Sequence, residues 1–418
     1  MIRHIASVMR GTMLAQGLGI LALPLLTRLY DPTDFGHFQV YQSATLLLVV
    51  FVSLRFEVAL LRAKAGSELQ ATLVLCLMST AAVTVLGTVT AAVVFAKWPS
   101  LHVQFPVSPL LIGLAIFLVG TFQFLSFLVT REQLYSVSAN SKIAQAVSYV
   151  GIASVFGTLR VSLGLIMADA LARLFGCLYL VRMLRNQGLL TIRGSSLTNI
   201  KAAAWKFREF PSISVFGGLI NSLGAIITPV MIYAKFKPEV AGQFALVERA
   251  LSFPIAIVVA AISQVYTATF AAMIRDDPSK LRKQFHDLLR MLLLVSVAPA
   301  VVVFFLAPKV FTLVFGSEWH VAGQLAQIMI PAYLTMFIYG GVNMTIMLLG
   351  RQVIQTIWEV LRAVCMVLLW GAIINPSMAV ETVITMHALV LGGMSLLFIA
   401  LAEYSVRRGP TKAAMHNA

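Results

Sequence analysis

GTMLAQGLGILALPLLTRLYDPTDFGHFQV, residues Gly11–Val40, begins as an apolar segment and ends in a polar turn that contains proline and glycine. Its features return 206 positions later in GGLINSLGAIITPVMIYAKFKPEVAGQFAL, residues Gly217–Leu246. The identical residues that coincide at this offset include Gly11 with Gly217, Pro32 with Pro238, Gly36 with Gly242 and Phe38 with Phe244. The offset is close to half of the 418-residue chain. A period of that length, used twice, predicts a duplicated helical bundle of the kind that membrane transporters use.

The composition indicates a chain that lies mostly within a membrane. Hydrophobic residues make up 59% of it and charged residues only 11%, whereas a soluble protein carries roughly 25% charged residues. Apolar runs of about 20 residues, long enough to cross a bilayer as helices, recur along the chain. We therefore predict an all-α integral membrane protein with twelve transmembrane helices in two six-helix lobes related by a parallel repeat. The predicted spans are 11–30, 38–61, 71–95, 107–130, 140–158, 161–183, 211–233, 241–271, 289–315, 324–349, 353–374 and 380–404.

The spans divide the chain into an N-terminal lobe at 1–183, a basic cytoplasmic linker at 184–210 and a C-terminal lobe at 211–418. Within the linker, NIKAAAWKFREF alternates basic residues with Trp205, Phe207 and Phe210. This pattern is typical of an amphipathic helix on the inner membrane surface. A solvated basic linker is the alternative.

The net charge of +15 is explained by the positive-inside rule and not by nucleic-acid binding. With an even number of spans both termini lie on one side, and most Lys and Arg residues outside the spans fall on that side. The opposite side carries only Arg28, Lys97, Arg160, Lys235, Lys237 and Lys309. We therefore predict that both termini are cytoplasmic. The N-terminal apolar run lacks a small-residue cleavage site and is expected to be retained as the first helix.

Several short motifs lack the context that their chemistry requires. Gly17-Leu-Gly19-Ile-Leu-Ala22 fits a dinucleotide fingerprint in form, but it lies within a predicted span without a βαβ unit. Its glycines are expected to allow close helix packing. Asp276-Asp277-Pro278 is similar to an aspartate-rich diphosphate–magnesium motif, but no further acidic group follows. The sequence predicts no catalytic residues, no metal site and no cofactor.

Charged residues inside the predicted spans are the strongest functional signal. Each charge near a helix centre costs roughly 2.5–3.5 kcal/mol on insertion scales, so these side chains must face a polar cavity, pair or reach the interface. The candidate substrate-binding residues are Arg28, Arg55, Arg173, Arg249 and Arg362. The candidate ion-coupling residues are Glu57, Asp169 and Glu248. Polar side chains that could contact sugar are Gln123, Asn221, Gln264, Tyr266 and Asn343.

Each arginine also has a structural interpretation. Asp169 and Arg173, four residues apart, can form a purely structural pair on one helix face. Arg362 can form an interfacial pair with Glu359, whereas Arg55 can reach the inner interface and Arg28 can anchor the first helix. Arg249 precedes Pro254, which should bend its helix, so a position in a cavity is favoured for it. Together these cations predict a cavity between the two halves that suits a phosphate-containing anion.

The run Pro24-Leu-Leu-Thr-Arg-Leu-Tyr-Asp-Pro-Thr-Asp-Phe-Gly36 resembles the first-helix signature of Wzx-type polysaccharide repeat-unit flippases. These transporters belong to the multidrug/oligosaccharidyl-lipid/polysaccharide (MOP) superfamily. The resemblance implies a MATE/MOP-like fold in the bacterial inner membrane and an undecaprenyl-diphosphate-linked oligosaccharide as substrate. It also implies membrane lipids, H⁺ or Na⁺ and polysaccharide polymerase or assembly proteins as partners. The related lipid II flippase has cavity arginines on its first, second and eighth helices, and Arg28, Arg55 and Arg249 lie on the corresponding spans here.

The sequence therefore predicts an ion-coupled flippase that moves its substrate by alternating access through a cationic cavity. A multidrug exporter of the same fold is the first alternative, although its cationic cargo would favour an acidic cavity. A membrane glycosyltransferase, polymerase or ligase is the second alternative. It is disfavoured because no predicted outer loop is long enough to hold an acceptor site.

Overall fold

The structure is a computed structural model, and it describes residues 2–190, 196–211 and 215–411. All regular secondary structure in these ranges is helical. The first half contains α1 (Ile2–Leu29), α2 (Pro32–Phe51), α3 (Phe56–Ala59), α4 (Ser67–Lys97), α5 (Pro99–Gln104), α6 (Pro109–Arg131), α7 (Tyr135–Thr158), α8 (Gly164–Asn186) and α9 (Leu197–Lys206). The second half contains α10 (Val215–Lys235), α11 (Pro238–Val247), α12 (Phe253–Asp276), α13 (Leu281–Phe315), α14 (His320–Val342), α15 (Thr345–Leu348), α16 (Gln352–Leu368) and α17 (Val380–Arg408).

Each predicted span coincides with one helix or with two consecutive helical pieces. Eight of these segments are long and apolar enough to cross a membrane, and shorter apolar stretches lie at Met13–Leu29 and Ile226–Lys235. The helices α2 and α7 coincide with the remaining two predicted spans. The predicted all-α membrane fold is therefore confirmed.

Local sequence explains where several helices begin. Asp31 caps α2, because its carboxylate accepts a hydrogen bond of 2.9 Å from the backbone N–H of Asp34, and Pro32 occupies the first turn. Ser108 caps α6 in the same way, with Pro109 as the next residue. A cap with proline behind it satisfies a free N–H group at the helix start and fixes the chain direction.

Several spans are interrupted. Residues 52–55 separate α2 from α3, and Leu54 and Arg55 there have left-handed φ values of 50° and 62°. A π-helical turn, Glu248–Ser252, joins α11 to α12. A second π-helical turn, Leu369–Ile373, ends the α16 segment. Such turns leave backbone groups outside the regular α-helical pattern and are frequent at functional sites.

The chain forms two compact units, Met1–Tyr233 and Ala234–Ala418. In the first unit α7 packs against α1 and α8, and α4 packs against α6. In the second unit α14 packs against α13 and α17. The predicted borders of the lobes at 183 and 211 stay a prediction.

The predicted amphipathic segment is the helix α9, capped by Ser196. Ala203, Phe207 and Phe210 enter the same apolar core as Phe56 and Leu60 of the α3 segment. A fully solvated linker is therefore wrong for this stretch. The expected close helix packing at Gly17 and Gly19 is also wrong, since a Cβ at either position would meet no described atom within 4 Å.

Candidate functional site

The break between α2 and α3 places a buried carboxylate inside a predicted span. Glu57 is 0% exposed. The Ser53 hydroxyl donates to its Oε2, and Gln123 Nε2 on α6 donates to its Oε1 at 2.8 Å. Arg55 Nη1 lies 3.9 Å from the same Oε1. Glu57 thus links two residues of the break, Ser53 and Arg55, to the neighbouring helix α6.

The guanidinium of Arg55 is only partly used by these contacts. Its side chain is 25% exposed, and its ion pair with Glu57 is longer than a hydrogen bond. The buried Nε has no hydrogen-bond partner in the part of the chain that the structure describes. A guanidinium has five N–H groups that match phosphate oxygens, so Arg55 retains capacity to bind an anion.

Two consecutive left-handed residues without glycine make this break strained. Conformations of this kind cost about 1–3 kcal/mol each and persist when their surroundings hold them. Here the holding contacts are those of Glu57 with Ser53 and Gln123. The close approach of Val52 and Thr80 to Gly120 of α6 adds to them, because a Cβ at Gly120 would lie 2.5 and 2.7 Å from their methyl groups.

Asp169 and Arg173 form the pair that their spacing predicts. Arg173 Nε donates to Asp169 Oδ2 at 2.7 Å, and Nη2 donates to Oδ1 at 3.3 Å. The Tyr41 hydroxyl donates to Asp169 Oδ2 at 2.9 Å. This group joins α2 to α8 and neutralises Arg173 within the unit.

A small cavity of about 60 Å³ lies beside Tyr41. Its other walls are Ala44, Thr45, Leu48, Phe105, Ile112, Ala115, Ile116 and Val119. The wall is almost wholly apolar, and the space is of the order of two water molecules. It is too small for a sugar.

In the second unit the π-helical turn contains both Glu248 and Arg249, with Pro254 in the first turn of α12. Both side chains are half-buried. The buried phenol of Tyr333 lies close to Glu248 and Ser252. An irregular helical turn therefore precedes Pro254 and begins at the candidate residues, and the bend expected from Pro254 stays a prediction.

The other candidate arginines lie on α16 and at the end of α1. Arg362 stacks over Trp358 with its Cζ 5.0 Å from the ring centre. The expected pairing with Glu359 is replaced by this stack, and Gln355 Nε2 donates to the Glu359 carboxylate at 3.3 Å. Arg28 is exposed in the last turn of α1.

Three of the candidate sugar contacts have other polar partners, and two are open or undescribed. Besides Gln123, Tyr266 contacts Thr345 at 3.0 Å, and Asn343 accepts a hydrogen bond from Ser263 at 3.2 Å. Gln264 is exposed. The side chain of Asn221 lies outside the described residues.

The Asp276-Asp277-Pro278 motif is a surface turn. The Lys280 ammonium lies 2.7 Å from Asp277 and, with the Ser279 hydroxyl, holds the pKa of that carboxyl below its ordinary value. Among the described residues no group of three or more His, Cys, Asp or Glu could hold a metal ion.

Sequence reasoning did not find Ser53 or Tyr41, and it assigned Gln123 to sugar. Ser53 lies four residues before Glu57, a spacing that signals contact only within an intact helix. Tyr41 and Gln123 are distant in sequence from the acids that they bind. Only the packing of α2 on α8 and of α3 on α6 brings them together.

The fold is that of transporters of the MOP superfamily. An inward-facing multidrug resistance MATE family transporter of that superfamily is 13% identical, with a TM-score of 0.64 over 94% of this chain and 95% of that chain. A MOP superfamily transporter from Pyrococcus furiosus is 12% identical, with a TM-score of 0.52 over 97% and 95%. An outward-facing MATE family transporter is 11% identical, with a TM-score of 0.52 over 97% and 96%. At these identities the likeness shows the fold alone.

The chain belongs to the family of polysaccharide biosynthesis proteins, whose profile matches residues 1–274. No curated protein matches the sequence significantly. The sequence resemblance is confirmed at the level of the polysaccharide biosynthesis family, and the MATE/MOP-like fold is confirmed by the structural neighbours. The protein is a multi-pass membrane protein of a transporter fold.

Proposed function

We propose that this protein is a flippase for undecaprenyl-diphosphate-linked oligosaccharide repeat units. It moves them from the cytoplasmic to the periplasmic leaflet of a bacterial inner membrane, with both termini in the cytoplasm. Transport proceeds by alternating access through a cationic cavity. The proposal is one of transport and not of catalysis, and polysaccharide polymerase or assembly proteins are the proposed downstream partners.

The observation that carries this proposal is the state of Arg55. Its buried Nε has no hydrogen-bond partner in the described structure, and its Nη1 lies 3.9 Å from the Glu57 carboxylate. A buried cationic donor left in this state costs free energy unless a ligand satisfies it. A diphosphate offers pairs of oxygens that the planar guanidinium can bind by two parallel hydrogen bonds.

The remaining candidate arginines take two different roles in the proposal. Arg249 in the π-helical turn, Arg28 at the end of α1 and Arg362 on α16 are proposed as further phosphate or glycan contacts. Arg173 must first exchange its bonds to Asp169, so its contact with substrate is limited to a transient step. Export of an anion from a negative-inside cell is favoured by about 2.3 kcal/mol per charge per 100 mV.

Glu57, Asp169 and Glu248 are the proposed coupling residues, with H⁺ or Na⁺ as the ion. At Glu57 the contacts favour a proton. Gln123 donates through Nε2, while its buried Oε1 has no partner among the described residues, and a flipped amide would accept a hydrogen bond from protonated Glu57. A sodium ion bound at Glu57 would instead be repelled by the nearby positive charge of Arg55.

The test is leaflet transfer of a fluorescent lipid-linked repeat unit in proteoliposomes. We expect Arg55→Ala to lower the initial rate by roughly 10–100-fold, because a charged hydrogen bond contributes about 1.5–3 kcal/mol. Arg55→Lys should lower the rate less than Arg55→Ala. Lysine keeps the positive charge but lacks the paired N–H groups of the guanidinium. Arg160→Ala, an exposed arginine at the end of α7, is the matched control and should leave the rate unchanged.

Equal rates for wild type and Arg55→Ala would contradict the assignment of Arg55. If wild type moves no lipid-linked glycan but protects cells against cationic drugs, the exporter function replaces the flippase. Rates that ignore both a pH and a sodium gradient would remove the coupling proposal and leave the substrate proposal standing.

A further inference from the structure

The helix α9 has two apolar sides, and only one of them packs against other described residues of the protein. Ala203, Phe207 and Phe210 are buried in the core of the first unit. On the other side Leu197 is 75% exposed and Trp205 is 72% exposed. These two residues are eight positions apart, so they lie on one stripe of the helix, with the exposed Lys201 between them.

The depth of this stripe is fixed by contacts with a membrane span. Lys206 Nζ lies 2.8 Å from the carboxylate of Glu68 in the first turn of α4. The long apolar part of α4 begins directly after Glu68. The helix α9 is therefore held at the level where α4 enters the membrane, which is the level that tryptophan prefers.

The charges around the stripe are mostly positive. Arg208 stacks on Trp205 with its Cζ 4.1 Å from the ring centre, and Arg62 stacks on Phe210 at 5.4 Å. Lys64 is exposed in the loop before α4. Glu68 is neutralised by Lys206, and Glu209 is an exposed acid that follows Arg208. A stripe with basic and aromatic residues at this depth complements the phosphates of anionic lipids.

We propose that the face formed by Leu197, Lys201, Trp205 and Arg208 binds the headgroups of anionic phospholipids. Leu197 and the Trp205 ring enter the boundary between headgroups and acyl chains, while Lys201 and Arg208 contact phosphate oxygens. Since the opposite side of α9 packs in the same core as Phe56 and Leu60, bound lipid stabilises the segment that follows Arg55. The lipid surface is independent of the substrate site and does not rest on the proposed flippase activity.

The experiment measures tryptophan quenching of the full chain in vesicles that contain brominated lipid. One vesicle is phosphatidylcholine with brominated phosphatidylcholine, and the other contains brominated phosphatidylglycerol at the same fraction. The contribution of Trp205 is the difference between wild type and Trp205→Phe. Trp98, which follows Lys97 in the chain and is 55% exposed, is the matched control, measured with Trp98→Phe.

We expect brominated phosphatidylglycerol to quench Trp205 more strongly, with a preference that falls as salt is raised. Lys201→Ala and Arg208→Ala should each reduce that preference about fivefold, because one basic residue near an anionic surface contributes about that factor. Trp98, beside the single basic residue Lys97, should show a weaker preference for the anionic lipid than Trp205.

A Trp205 signal that neither lipid quenches would overturn the proposal, because the face would then meet water or another protein. Equal quenching by both lipids would overturn the anionic part. An anionic preference that survives both alanine variants would overturn the assignment of these residues. Thermal unfolding of each variant checks that α9 remains folded.

Discussion

Asp169 and Arg173 show how a membrane span can contain two charges at a small cost. Their two hydrogen bonds lie within one helix, and Tyr41 supplies a third from α2. The Asp169 side chain is only 10% exposed, so these partners replace most of its contact with water. The group as a whole is neutral, and its stability depends on each member keeping its partner.

We expect Asp169→Asn to destabilise the protein by about 3 kcal/mol, because removing one partner of a buried pair leaves the other charge uncompensated. Tyr41→Phe should cost about 1 kcal/mol, the contribution of one hydrogen bond. The measurement is the midpoint of thermal unfolding in detergent. The double variant Asp169→Leu with Arg173→Leu is the control and should be closer to wild type than Asp169→Asn. If the double variant is less stable than Asp169→Asn, an uncompensated charge is not what destabilises Asp169→Asn.

At the scale of elements, the second span of each half is interrupted, but by different means. Residues 52–55 contain no glycine or proline, and the break depends on Glu57 and its partners. The turn Glu248–Ser252 comes before Pro254, whose missing N–H already weakens the helical pattern there. Sequence signals therefore marked the second interruption and not the first.

Helix packing depends on which glycines face a neighbour. A Cβ at Gly157 of α7 would lie 2.7 Å from the Cβ of Leu29 on α1, whereas a Cβ at Gly19 would meet no described atom. We expect Gly157→Ala to destabilise the protein by about 1–3 kcal/mol through overpacking. Gly19→Ala should stabilise the protein by about 0.5–1 kcal/mol, because alanine loses less backbone entropy than glycine when the helix forms.

Both alanine variants are compared by thermal unfolding in the same detergent. Equal shifts of the unfolding midpoint in the two variants would contradict the prediction that only Gly157 is tightly packed against a neighbouring helix. A loss of transport in Gly19→Ala with raised stability would show that α1 bends at this point during the cycle.

At the scale of the whole molecule, the distribution of basic residues predicts the orientation in the membrane. Single cysteines placed at exposed serines test it in a Cys365→Ser background, because Cys76 and Cys177 are buried. A membrane-impermeant maleimide should label Ser100→Cys and Ser317→Cys in intact spheroplasts. Ser67→Cys and Ser279→Cys should be labelled only after lysis, since the positive-inside rule keeps their basic loops in the cytoplasm. Outside labelling of Ser279→Cys would reverse the orientation or change the number of spans.

The sequence alone determined the class of fold, because apolar runs of membrane length and a repeat at 206 positions are local and additive signals. It also placed the Asp169–Arg173 pair, which needs only helical spacing. It missed the break at Arg55, where no residue type favours left-handed backbone. Contacts from α6 hold that break, and a one-dimensional pattern carries no record of which helix stands beside it. Tertiary structure alone therefore decided that Glu57 is held by Gln123, and that Trp205 remains exposed while Phe207 is buried.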